Sequence, residues 1–193
     1  WRQFDPIVGP NINCPLPMLG LSGNRRQVIA SLDRMFPVPG GTHSDVGLRW
    51  GLRSLAPTSH WVNFFGNSGK PPAPYKSEQK KLMVLITDGE NTKATEFPGY
   101  WGCEGPFPGC SGAPDPTELN ARMLNWCEAI RNDYGIQLIT IAVNFGANAN
   151  NAANLLRQCA GSAENAYRID ANQLDRLLQD SAEASILKLM LRE

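Results

Sequence analysis

The segment Leu82-Met83-Val84-Leu85-Ile86 is an unbroken apolar run, closed by Lys80-Lys81 on one side and Thr87-Asp88-Gly89 on the other. A strand without polar alternation must be covered on both faces, which is the condition of a strand inside a parallel sheet. Parallel neighbours cannot be joined by a hairpin; they need a crossover, usually a helix. Gln137 to Val143 repeats the pattern, and Tyr167-Arg168-Ile169 reads as a third, shorter strand. The chain is therefore expected to be an α/β protein, a doubly wound and mostly parallel sheet with right-handed crossovers and helices on both faces.

The intervening segments carry helical signals. Asn24 is placed to cap a helix with Val28, Ile29, Leu32, Met35 and Phe36 on its apolar face, ended by Pro37 and Pro39. Gly40-Gly41-Thr42 turns into a second helix over about Ser44 to Leu55. Gly47 and Gly51, one turn apart, are expected to let it approach a sheet closely, with burial on both sides of the helix. Asp115, Pro116 and Glu118 supply an N-cap, a first-turn proline and a capping-box acid. The helix they open sets Leu119, Met123, Cys127, Ile130 and Tyr134 on one face and stops at Gly135. Asn151 to Ala160 reads as a further helix, and Leu174, Leu177, Leu178 and Ile186 mark a closing one. Two stretches rich in turn residues, 58–79 and 95–115, read as loop insertions in a single domain spanning 1–193.

Composition removes several classes of function. Lys plus Arg number 18 and Asp plus Glu 18, so there is no broad basic field for nucleic acid or anionic lipid. The sequence has no apolar run long enough for a membrane span. Its five cysteines, Cys14, Cys103, Cys110, Cys127 and Cys159, include no Cys-x-x-Cys pair, which disfavours a zinc ribbon or a thioredoxin-like centre. Cys103 and Cys110 close a short loop of turn residues and are expected to be bridged. Cys127 and Cys159, on helical segments flanking the strand at Gln137 to Val143, form the second expected pair, other connectivities remaining open. Disulfides would place the chain in an oxidising compartment.

In open α/β sheets ligands collect where strands end at their carboxyl edge. Asp88 stands there, directly after an apolar strand, and Thr42 stands at the start of a helix. A hydroxyl and a carboxylate are hard donors suited to Mg²⁺, Mn²⁺ or Ca²⁺. Taken singly, Gly-Gly-Thr is also the pattern of a helix start and Asp-Gly that of a turn. His43 reads as a solvated turn residue, Glu90 as a turn cap, and Asp45 as a first-turn acid facing the helix dipole.

Gly40-Gly41-Thr42, Asp45, Gly47 and Trp50-Gly51, followed by Leu85-Ile86-Thr87-Asp88-Gly89-Glu90-Asn91-Thr92, resemble the C-terminal von Willebrand factor A domain of TadG-like proteins of tight-adherence (Flp) pilus systems. Cys127, Gly135-Ile136, Leu155-Leu156, Cys159-Ala160, Tyr167 and Leu189-Met190-Leu191-Arg192 extend the likeness over most of the chain outside the two loops. The resemblance implies a von Willebrand factor A-like, Rossmann-like fold with a metal-ion-dependent adhesion site. Such a site takes an Asp-x-Ser-x-Ser after the first strand, a Thr before a later helix and an Asp after a central strand. Thr42 and Asp88 match the second and third parts. No Asp is followed two residues later by Ser, so the first strand and its ligands are expected upstream of Trp1. The strand at Leu82 to Ile86 would then keep an unpaired edge, with self-association as its consequence.

The function implied is non-enzymatic protein binding and adhesion in the cell envelope, outside the cytoplasm, with a divalent cation held weakly by this chain. The partner is a pilus or envelope component offering a carboxylate, and an upstream segment supplies the membrane anchor. The alternative within the superfamily is an intracellular metal-dependent scaffold for an ATPase partner, which free thiols would favour. A hydrolase using Asp88 with a histidine is a third class that the spacing does not indicate.

Overall fold

The computed structural model describes residues 16–36, 42–57, 72–87, 91–92, 116–144 and 149–170. Two helices come first, α1 at Arg25–Leu32 and α2 at Ser44–Ser54. A β-α-β-α-β run follows: β1 at Leu82–Thr87, α3 at Pro116–Asn132, β2 at Gln137–Asn144, α4 at Ala149–Ala160 and β3 at Ala166–Asp170. The described strands form a parallel sheet in the order β1-β2-β3. Leu82 stands opposite Gln137 and Thr87 opposite Ala142, while Thr140 stands opposite Ala166 and Asn144 opposite Asp170. The mixed α/β class and the parallel pairing expected from the apolar runs are therefore present.

The main core lies between one face of this sheet and α2, α3 and α4. Leu48 and Leu52 from α2, Met123, Cys127 and Ile130 from α3, and Leu156 and Cys159 from α4 pack there on Met83, Leu138 and Ala142. Crossover handedness accounts for the shared side. When each new parallel strand is added in the same direction, right-handed crossovers put every connecting helix on one face. A disulfide between Cys127 and Cys159, both fully buried, joins α3 to α4 across a sequence separation of 32. The pairing of Cys103 with Cys110 falls outside the described residues.

The second face is built, among the described residues, from the sheet alone. Its apolar cluster is made of strand residues, Ile139, Ile141, Val143 and Ile169, with Leu82 and Tyr167 against them. Burial is complete at the middle of this face, where Ile141 is 0% exposed, and fails toward β1, where Val84 is 41% and Ile86 42% exposed. The strand at Leu82 to Ile86 is thus covered on one face and open on the other. The closing helix expected around Leu174 to Ile186 falls outside the described residues.

Two features of α1 and α2 correct the sequence reading. Asn24 does cap α1, its Oδ1 accepting from the Arg26 and Gln27 amides at 3.1 and 3.3 Å. The helix stops at Leu32, before the prolines, and buries no residue. In α2, Gly51 faces β1 as expected: a Cβ there would lie 3.2 Å from the Met83 Cε. Gly47 does not share that role, because nothing lies within 4 Å of the equivalent point. Only the Leu48 and Leu52 side of α2 is buried, together with Ser44 and Asp45 at its start.

The far ends of the helices are closed by long cations. The Lys81 ammonium donates to the Leu55 carbonyl just past α2 and lies 4.3 Å from the Tyr75 ring centroid; its burial lowers its pKa from the ordinary lysine value. Arg131 donates to the Gln158 and Cys159 carbonyls at the end of α4, where positive charge is favoured by the helix dipole. Gly161, with φ 76°, leaves room for that guanidinium. Replacing Cys127 and Cys159 together by alanine is expected to cost about 2–4 kcal/mol, the usual range for a disulfide closing a loop of this size. Urea unfolding of the variant and of the oxidised parent checks this, and equal midpoints would show that the bond does not hold the two crossover helices.

Candidate functional site

Four chain steps separate Thr87, the last residue of β1, from Asn91. Asn91 and Thr92 return the chain to the start of α2, and the two segments are stitched together residue by residue. The Thr92 amide donates to the Thr42 carbonyl at 2.9 Å, and the Thr42 amide donates to Thr92 Oγ1 at 2.8 Å. Both backbone groups of Thr42 are thus engaged, and its side-chain hydroxyl takes no part in the pairing.

Asn91 supplies the cap that α2 lacks from its own sequence. His43 occupies the N-cap position and makes no side-chain cap bond. The Asn91 Oδ1 instead accepts the Ser44 amide at 2.7 Å, and its Nδ2 donates to Asn120 Oδ1 at 2.9 Å and contacts Met123 Sδ at 3.4 Å. One buried side chain therefore joins the start of α2, the segment after β1 and the first turns of α3. An unsatisfied helix amide buried at such a junction is costly, so a polar side chain at this position stabilises the fold.

The sequence-derived candidates divide accordingly. Thr42 lies at the junction and is half-buried. Asp88, with Glu90, falls outside the described residues. Among the described residues no group of three or more His, Cys, Asp or Glu is gathered so as to hold a metal ion. His43 is not the solvated turn residue expected of it: it is half-buried, and its Nδ1 is enclosed without a hydrogen-bond partner. Asp45 is in the first turn of α2 as expected, but it is 1% exposed, and its Oδ1 also has no hydrogen-bond partner. Sequence reasoning gave Asn91 no role beyond membership of a motif. Its signal is only that an amide able to give and accept follows a buried strand by a few residues.

No described helix is long and apolar enough to cross a membrane. The Asn91 junction carries a direct expectation for stability. Asn91→Ala removes the acceptor of the Ser44 amide and should cost about 1–3 kcal/mol, whereas Asn91→Asp keeps that acceptor, loses the donor to Asn120 and should cost less. Chemical denaturation of the two variants decides, and an alanine variant as stable as the parent would remove Asn91 from its capping role. Compared with known proteins, the chain matches no family model, no curated protein and no solved structure.

Proposed function

We propose that the chain is a non-enzymatic protein-binding module of the von Willebrand factor A type, serving adhesion or assembly in a Flp-type pilus apparatus of the cell envelope. The observation that supports this most is the stitching of Thr42 and Ser44 to Thr92 and Asn91. It joins the Gly-Gly-Thr segment to the segment that follows β1, the two segments a metal-ion-dependent adhesion site of this type draws on. It does so through backbone and amide groups that leave the Thr42 hydroxyl for another partner.

Thr42 and Asp88 are the residues that would hold the cation. Their oxygens suit Mg²⁺, Mn²⁺ or Ca²⁺ in kind but fall short in number, since Ca²⁺ takes about 6–8 oxygens and Mg²⁺ a near-octahedral set. The chemistry such a cation supplies is an open coordination position for a partner's carboxylate. In sites of this type the remaining ligands come from an Asp-x-Ser-x-Ser segment that follows a strand. That strand would pair along the edge of β1 opposite β2, β1 being an edge strand among the described strands. The buried Cys127–Cys159 disulfide favours an oxidising, extracytoplasmic setting over the intracellular scaffold.

Calorimetric titration with Mn²⁺ tests the reading. This chain alone should bind weakly, above micromolar. A longer piece of the parent that adds the upstream strand should bind at least about tenfold more tightly, and Thr42→Ala or Asp88→Ala should abolish the gain. Sub-micromolar binding by the short chain, or a gain indifferent to both substitutions, would place the cation elsewhere. Turnover of an ester or phosphate ester that disappears in Asp88→Asn would replace the binding reading with a hydrolytic one.

A further inference from the structure

Beside the Thr42 junction, α2 and α3 leave a cleft of about 330 Å³. Each helix lines it with a pair one turn apart, Asp45 and Arg49 from α2 and Arg122 and Trp126 from α3. The Arg49 guanidinium lies 5.4 Å from the Trp126 ring centroid, and Arg122 is paired with Glu118 on its own helix. Asp45 is the anomaly. It is a carboxylate 1% exposed, lining a cleft that contains two guanidiniums, with an enclosed Oδ1 that accepts no hydrogen bond. An oxygen in that state is served either by an ordered water or by a donor that displaces it from the cleft.

The charges around it restrict what that donor belongs to. A carboxylate or phosphate has no proton to give Asp45 and would meet its charge at close range. An ammonium or guanidinium would give a proton but enter between two resident guanidiniums. A neutral group that donates on one side and accepts on the other meets both demands, and a guanidinium with five N–H groups can serve it without leaving Trp126. The depth of Asp45 requires a slender, protruding group, which a pyranose ring is not.

We propose that this cleft receives a primary carboxamide, the side chain of an asparagine or glutamine presented by a protein partner. One amide N–H is donated to Asp45 Oδ1, and the carbonyl accepts from Arg49 while the planar group lies along Trp126. The cleft is then a second recognition point beside the Thr42 segment, and it rests on the protein-binding reading given above.

Propionamide is a sufficient probe. Titrated into the ¹⁵N-labelled chain in the presence of EDTA, it should produce saturable shifts of the Trp126 indole N–H, assigned through Trp126→Phe. The dissociation constant should lie in the millimolar range expected of so small a ligand. Asp45→Ala should weaken binding about tenfold or more, and the isosteric Asp45→Asn about threefold or more, since an acceptor remains but its charge is lost. Thermal unfolding of both variants verifies that they are folded, and Glu118→Gln should leave Asp45-dependent binding in place. Propionate and propylammonium should bind at least about tenfold more weakly than propionamide. Absence of saturable shifts overturns the proposal, as does equal binding of propionate, tighter binding of methyl glucoside, or indifference to both Asp45 substitutions. Because EDTA removes any cation, amide binding can persist where the Mn²⁺ titration fails, and the converse can also hold.

Discussion

The described structure depends on β2 being paired on both sides. Leu138, Ile139, Thr140, Ile141, Ala142 and Val143 are all buried, and their side chains alternate between the two faces, so this strand is enclosed above and below as well as along its edges. Parallel pairing on both sides commits the chain to two crossovers, and their common hand puts α3 and α4 together over one face. Everything on that face then follows from contact with β2. Thr140 is fully buried at the strand's centre and satisfies its hydroxyl by donating to the Leu156 carbonyl of α4 at 2.9 Å. The disulfide fastens the two crossover helices to each other and not to the sheet. Loop closure thus restrains the same β-α-β-α unit that burial assembles.

That unit was legible because its signals are local and repeated. An apolar run bounded by charges or Asp-Gly leaves a strand few alternatives, and Leu119, Met123, Cys127 and Ile130 hold to the helical period so closely that all four are buried. What could not be read is what depends on a neighbour. Gly47 and Gly51 are the same residue one turn apart, yet only Gly51 meets β1, since the rotation of α2 is set by Leu48 and Leu52 entering the core. The apolar face of α1 has a sound helical period and a satisfied N-cap, but periodicity states only that a face would profit from cover; Leu32 remains 55% exposed. The openness of β1 on its second face belongs to the same class of fact.

The candidate site shows the same division. Thr42 could be singled out because a small hydroxyl after two glycines is a recognisable helix-start pattern, and the structure puts it just before α2. Asn91 was missed as a structural residue because an amide in a polar segment after a strand is indistinguishable from loop composition. Its importance comes from reaching three elements at once. Asp45 was read only as a first-turn acid facing the helix dipole, with nothing said of its burial. Its burial is produced by α3 packing against the start of α2, an event nearly 80 residues further along the chain.

These facts together explain why the start of α2 is the place where polar groups remain with work to do. A helix capped by its own N-cap residue uses that side chain on its own amides. Here the cap comes from Asn91, the Thr42 backbone is engaged by Thr92, and His43 serves at the cap position through its backbone, whose carbonyl accepts from the Val46 amide at 3.2 Å. The first turn is held rigid by other segments, so the side chains of Thr42, His43 and Asp45 are not consumed in forming it. Burying polar atoms without partners costs stability. The core over β2 and the disulfide supply stability at a distance from this turn, which allows the polar cluster to be held in place without satisfying itself.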